Sequence, residues 1–194
     1  MKQRVMRGLR KFNELCFTRR PLAHQIAALI PANASVLDVG CDDGSTSLML
    51  LEKNASIQIN GVDIQSHRES KIPKKIYDGL HLPYPDNSFD VVIALDVLHH
   101  TRHIETLLGE IARVAKSTVI LKDHACGNRV EHMLLSALDY IGNEPYGIPC
   151  VYNYPSYSQW DLYFSNVGLK LCKLIPFGSW WYRKIQPIFV LEHS

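Results

Sequence analysis

Two kinds of hydrophobic spacing alternate along the chain from residue 22 to residue 124. Short apolar runs at 34–39, 57–62 and 91–97 (VVIALDV) have the length and composition of buried strands. Between them, apolar residues recur every three or four positions, as they do on one face of a helix. The segment 19–30 carries Leu22, Ile26, Leu29 and Ile30 and is stopped by Pro31. Ser45 to Lys53 carries Leu48, Leu50 and Leu51 as its inward face. Ile104 to Ala115 places Leu107, Leu108, Ile111 and Val114 opposite Glu105, Glu110 and Arg113. Weaker strands are predicted at Lys74–Tyr77 and Thr118–Lys122. Strands that alternate with helices in this way form a parallel sheet covered on both faces.

The pattern changes after residue 124. A helix is predicted over 126–142, followed by the stretch GNEPYGIPCVYNYPSYSQW, dense in turn formers and tyrosine. Gly168–Ile175 and Ile185–Leu191 read as a closing pair of strands. One domain accommodates all of this: a helical arm (1–33), a core (34–124), a cap or lid (125–166) and the strand pair (167–194).

Composition narrows the classes. At 194 residues, with 46% apolar residues, the chain is globular, and its net charge of +2 makes no general case for a nucleic-acid partner. Five cysteines without a CxxC read as reduced thiols of a cytoplasmic protein. No apolar run is long enough to span a bilayer. The first twenty residues hold seven Lys or Arg against Glu14, so a basic helical arm is expected, and peripheral contact with a membrane or an anionic substrate stays open.

In parallel sheets ligands bind at the carboxyl ends of the strands. That directs attention to Asp38–Gly44, Asp63, Asp78–Gly79, Asp96–His100 and Asp123–His124. In VLDVGCDDGSTS, Gly40 and Gly44 let the backbone turn sharply off a strand, and the helix that follows offers free N–H groups. The dinucleotide fingerprint GxGxxG and the Walker lysine are both missing. Asp42 and Asp43 would repel a pyrophosphate but not a ligand carrying a sulfonium and an ammonium. Asp63, at a strand end nineteen residues beyond Gly44, is placed to accept ribose hydroxyls. Asp78 could accept from an adenine amine.

Together the pieces VLDVGCDDG, GVDI, YDGLHLPYPDNSFDVVIALDVLHH and LGEIARVAKSTVILKDH, in order over residues 36–124, resemble the class I S-adenosylmethionine-dependent methyltransferases. Within them the resemblance is to the ubiquinone/menaquinone-type (methyltransferase 11) group. It implies an α/β, Rossmann-like sheet of seven mostly parallel strands with an antiparallel last strand, helices on both faces and a small cap. It implies S-adenosylmethionine as cofactor, with its methionine part against Asp38, Gly40, Cys41, Asp42 and Gly44. The ribose would lie on Asp63 with Ile64 against the adenine, and the adenine amine on Asp78 beside Gly79 and Leu80. Leu95 and Asp96 would pass under the methionine end. The chain departs from the family at Asp42, where glycine is usual, and at AKSTVIL, which lacks a Pro-Gly-Gly turn.

The implied function is transfer of a methyl group to a small-molecule acceptor by in-line alignment, with His99 and His124 as candidate general bases and His100, Tyr146, Tyr152 and Tyr154 as substrate contacts. Asp96 with Asp123 is similar to the magnesium ligands of catechol-type methyltransferases, but His124 stands where asparagine is usual, so no metal is expected. Two other readings remain: a nicotinamide-dependent oxidoreductase, and a methyltransferase-like binding subunit without turnover.

Overall fold

The structure is a computed structural model that describes residues 19–64, 69–143, 151–178 and 183–194. In chain order its elements are α1 (Arg20–Ala27), β1 (Ser35–Val39), α2 (Ser45–Lys53), β2 (Gln58–Asp63), β3 (Lys74–Ile76), β4 (Phe89–Leu95), α3 (Ile104–Val114), β5 (Ala115–Lys122), α4 (Arg129–Asn143), α5 (Tyr157–Asn166), β6 (Leu169–Pro176) and β7 (Pro187–His193). Short 3-10 turns precede α3 at Leu98–His100 and β7 at Arg183–Ile185. The seven strands form one sheet in the order β3-β2-β1-β4-β5-β7-β6. All pairings are parallel except those of β7, which runs against both β5 and β6. This is the sheet expected from the sequence. Among the described residues no helix is long and apolar enough to cross a membrane.

Side chains alternate across a strand, so each central strand feeds two cores. Leu37, Val39, Val92, Ala94, Val119 and Leu121 face one side, where Leu107, Leu108 and Ile111 of α3 and Trp160 and Phe164 of α5 cover them. Val36, Val91, Ile93 and Ile120 face the other, under Leu22 and Ile26 of α1 and Met49 and Leu50 of α2. In α2 the buried residue is Met49 rather than Leu48, which is 39% exposed. Leu50 is buried as expected, and Met49, four positions after the buried Ser45, takes the place expected of Leu48.

The segment assigned to the cap splits in two. Residues 157–166 form α5, a core helix rather than part of a lid. Ser156 caps it in a reciprocal box: its hydroxyl accepts from the Gln159 N–H, and the Gln159 side chain accepts from the Ser156 N–H. Trp160 is fully buried, stacks on Phe164 and donates from its indole N–H to the His124 carbonyl at 2.9 Å. What stands over the strand ends is α4 with residues 151–155, joined to the body through a small cluster of Cys126, Leu135, Tyr154 and Ile185. Trp160→Ala is expected to lower unfolding free energy by about 3–5 kcal/mol, the usual cost of emptying a large aromatic site. Urea denaturation measures this, and a loss below about 1 kcal/mol would take α5 out of the core.

Candidate functional site

The strand order reverses between β1 and β4, and there a cavity of about 890 Å³ opens at the carboxyl ends of the strands. The turn after β1 forms its floor. Gly40 (φ +74°) and Gly44 (φ +71°) both lie in the left-handed region. A Cβ on Gly40 would sit 2.5 Å from a Val97 methyl, so only glycine lets the turn pass beneath that residue. Asp42 also has positive φ (51°), the conformation for which the family's glycine is suited.

The acids around the turn have distinct partners. Asp43 caps α2: it accepts from the Ser45 N–H (3.0 Å) and hydroxyl (2.8 Å) and pairs with Lys71 at 3.3 Å. Burial pushes its carboxyl up, but these bonds win and hold it below the usual range. Asp63 accepts the Asp42 N–H at 2.8 Å, so the acid ending β2 fixes the turn after β1 and borders the cavity at once. Asp38 is 3% exposed and accepts from the Ser47 hydroxyl. Burial pushes its carboxyl up to about 7, against the pull of the Ser47 bond and with Asp63 adding to the rise.

Asp78 lies in the following loop. It accepts from the Leu80 and His81 N–H groups at 2.8 and 2.7 Å, and its other oxygen meets His81 Nδ1 at 2.8 Å. These bonds hold its carboxyl well below the usual range. The loop is fastened to α3: Glu110 accepts the Leu82 N–H, and Arg113 donates to the Leu82 and Tyr84 carbonyls and to Asp86.

A second group of polar side chains closes the far end. Asp123, following β5, accepts the Leu98 N–H (2.8 Å), the His124 N–H (2.7 Å) and His99 Nδ1 (2.7 Å). Burial would raise its carboxyl, but His99, His124 and these donors hold it far below the usual range. For His99, burial alone would lower the pKa. Asp123, with Asp96 and Asp139 behind it, more than offsets this and holds the imidazole above its ordinary value. His124 stacks on His99, with ring centroids 4.3 Å apart and planes 12° from parallel. Burial, together with the charges of His99 and Lys122, lowers its pKa, while Asp139 opposes. From α4, Asp139 reaches to 3.8 Å from Nε2 of both rings, and the Tyr154 hydroxyl donates to it at 2.6 Å. Lys122 donates to Asp96 and to the Gln186 carbonyl oxygen, which turns the Gln186 amide nitrogen to His124 Nδ1 at 3.1 Å.

Donor atoms of Asp96, His99 and His124 lie within 4.8 Å of one another. A metal sits in the plane of each imidazole that binds it. The two ring planes here are nearly parallel and stacked, so they share no such point, and Lys122 already neutralises Asp96.

Of the residues singled out from sequence, Asp38, Gly40, Cys41, Asp42, Asp63, Ile64, Asp78, Gly79, Leu80, Leu95, Asp96, His99, His100 and His124 all line this one cavity. Gly44 lies behind it, with a Cβ position 2.8 Å from Ile72. Tyr154 is buried with its hydroxyl on Asp139, and Tyr152 is 36% exposed; neither lines the cavity. Tyr146 and the basic arm 1–18 lie outside the described residues. Sequence reasoning passed over Asp139, Lys122 and Gln186. Asp139 carried a signal, since it falls four positions after Leu135 on the apolar face of a helix.

A family model described as a methyltransferase domain matches residues 10–174, and the chain belongs to that family. It is a class I domain of the kind that uses S-adenosylmethionine; the model's description does not distinguish the ubiquinone/menaquinone-type group. Ajmaline N-methyltransferase of Rauvolfia serpentina is 33% identical over 46% of this chain and 36% of its own length. The 27-O-demethylrifamycin SV methyltransferase of Amycolatopsis mediterranei (strain S699) is 29% identical over 49% of this chain and 40% of its own. The aligned region is thus well under half of either relative. The same fold occurs in a methyltransferase solved with the Haloferax volcanii Trm112 activator (TM-score 0.72, 15% identity, 96% of this chain and 94% of that one). It occurs also in the PH0226 protein of Pyrococcus horikoshii OT3 (TM-score 0.68, 18% identity, 96% and 91%).

The lining fits such a cofactor. Seven aspartates (38, 42, 43, 63, 78, 96 and 139) border the cavity, and the most buried of them, Asp38, has a hydroxyl rather than a cation as its bonded partner. A ligand with an ammonium and a sulfonium supplies the missing positive charge.

The raised Asp38 pKa has a consequence for the empty protein. Between the unfolded value near 4 and the folded value near 7, the native state binds the extra proton, so stability falls as pH rises through that window. Asp43 and Asp90, held low, are ionised in both states there and add no slope. Urea midpoints from about pH 5 to 7.5 should decline more steeply in the wild type than in Asp38→Asn. Equal slopes would mean that Asp38 is ionised in the fold.

Proposed function

We propose that this domain transfers the methyl group of S-adenosylmethionine to a small molecule held in the half of the cavity bounded by Leu135, Leu138, Val151 and Phe177. The carrying observation is that the acid-lined turn and the His99–His124–Asp139 cluster share one cavity. In this reading Asp63 takes the ribose hydroxyls, Ile64 covers the adenine, and Asp78, Gly79 and Leu80 border its amine. Asp38, Gly40 and Cys41 meet the methionine part, with Gly44 shaping the turn from behind, and Leu95 and Asp96 run under its end. The relatives' names support a small acceptor, since both act on compounds of modest size rather than on a macromolecule. A nicotinamide dinucleotide would bring its pyrophosphate against Asp42 and Asp43, which is unfavourable.

Calorimetric titration tests this. S-adenosylhomocysteine should bind, and NAD should not compete with it. Asp63→Ala should weaken S-adenosylhomocysteine by ~1.5–3 kcal/mol, roughly ten- to 150-fold, the worth of hydrogen bonds to a charged group. NAD binding more tightly than S-adenosylhomocysteine would end the methyltransferase reading. Unchanged affinity in a folded Asp63→Ala protein would end the ribose assignment.

A further inference from the structure

The two histidines that share the acceptor end are held differently. Gln186 presents its carbonyl to Lys122, so its amide nitrogen donates to His124 Nδ1. That bond occupies the His124 Nδ1 lone pair and leaves its proton on Nε2, facing Asp139. His99 is the reverse case. Asp123 is fixed by two backbone N–H groups and can only accept, so His99 donates to it from Nδ1. In neutral His99 the lone pair is therefore on Nε2, 3.8 Å from an Asp139 oxygen, and His99 is among the residues that line the cavity.

We propose that His99 Nε2 takes the proton of the methyl acceptor, with Asp123, Asp139 and Tyr154 as positioning residues, and that the acceptor's nucleophilic atom accordingly carries a dissociable proton, as in a hydroxyl. This rests on the methyltransferase reading above and narrows its substrate class. An amine that is already neutral can attack through its lone pair without a base, so a fixed Asp–His pair at this place best serves an acceptor that must lose its proton to become nucleophilic. With a hydroxyl the step balances. The O–H bond breaks with its proton going to His99 Nε2. The oxygen lone pair bonds to the methyl carbon, and the electrons of the carbon–sulfur bond stay on sulfur. The products are a methyl ether, the neutral thioether and an imidazolium, which gives up its proton toward Asp139 and water.

The charges facing His99 come from every element packed against it. Asp96 follows β4, Lys122 and Asp123 end β5, His124 stacks on the ring, His100 adjoins it, and Asp139 reaches in from α4 with Tyr154 on its oxygen. The net surplus of carboxylates holds the His99 imidazole above its ordinary pKa, against the pull of burial. Bound sulfonium charge opposes that surplus and favours the neutral ring.

Nitrogen-15 NMR of the histidine rings, with His99 assigned from the signal missing in His99→Gln, tests the proposal on the whole chain. S-adenosylmethionine and S-adenosylhomocysteine serve as probes that differ by one positive charge. Neutral His99 should be the Nδ1–H tautomer, and its titration midpoint should be lower with S-adenosylmethionine than with S-adenosylhomocysteine. Asp123→Asn should lower the midpoint further, and Tyr154→Phe, which strips a donor from Asp139, should raise it. A neutral His99 protonated on Nε2, or one midpoint for both probes, would overturn the proposal in the wild type alone, whatever the variants do. Failure of both probes to bind would overturn the methyltransferase reading instead.

Discussion

Parallel pairing brings an aspartate from each of four strands to one edge of the sheet: Asp38 in β1, Asp63 in β2, and Asp96 and Asp123 just beyond β4 and β5. Crowding of negative charge at that edge governs what surrounds it. Each acid meets it by different means. Asp38 takes a hydroxyl and a proton, Asp63 takes a backbone amide of the glycine turn, Asp96 takes the Lys122 ammonium, and Asp123 takes two amides and an imidazole. Each acid is thus partnered within the chain, yet the site keeps electrostatics that favour a cation. The glycines, the order of the strands and the histidine pair all serve that one arrangement.

The sheet was legible because buried parallel strands leave a strong one-dimensional trace. VVIALDV has no other plausible place than the middle of a sheet, and an acid at a strand end must lie at the ligand edge. The cofactor side of the site was legible for the same reason, since its residues directly follow strands. Other parts depended on pairings remote in sequence. Asp43 read only as an acid that a cationic ligand would tolerate, whereas its own oxygens hold the first residue of the next helix. Gln186 precedes an antiparallel strand, and nothing local shows that β7 returns it to the end of β5. Tyr154 looked like an aromatic wall, but its partner Asp139 is fifteen residues away on another element. The tyrosine-rich composition of 151–163 concealed a helix whose one tryptophan is the centre of a core.

The histidine pair shows how similar residues acquire unlike character from their second neighbours. His99 and His124 are stacked, buried and bordered by the same Asp139. Burial pulls both pKa values down; at His99 the Asp123 carboxylate on Nδ1 more than offsets it, whereas at His124, whose Nδ1 meets an amide, burial and the charges of His99 and Lys122 prevail. Sequence names both residues; only the three-dimensional assignment of hydrogen-bond partners separates them.

The bonds from Glu110 and Arg113 to the 82–86 loop give the cavity two walls of unequal stiffness. On the Asp78 side, a helix packed in the main core grips the loop through its backbone, so the wall moves only if the body of the protein moves. On the opposite side, α4 carries Val130 and Met133 at 75% and 72% exposure and is tied down by a small satellite cluster. The outward side chains of that helix, such as Val130 and Met133, can change in size and shape with little effect on the rest of the molecule, while Leu135 and Asp139 are held from within. The domain is therefore divided into a stiff socket fastened to the main core and a face hung on a small cluster, and substitutions on the outside of the second leave the first undisturbed.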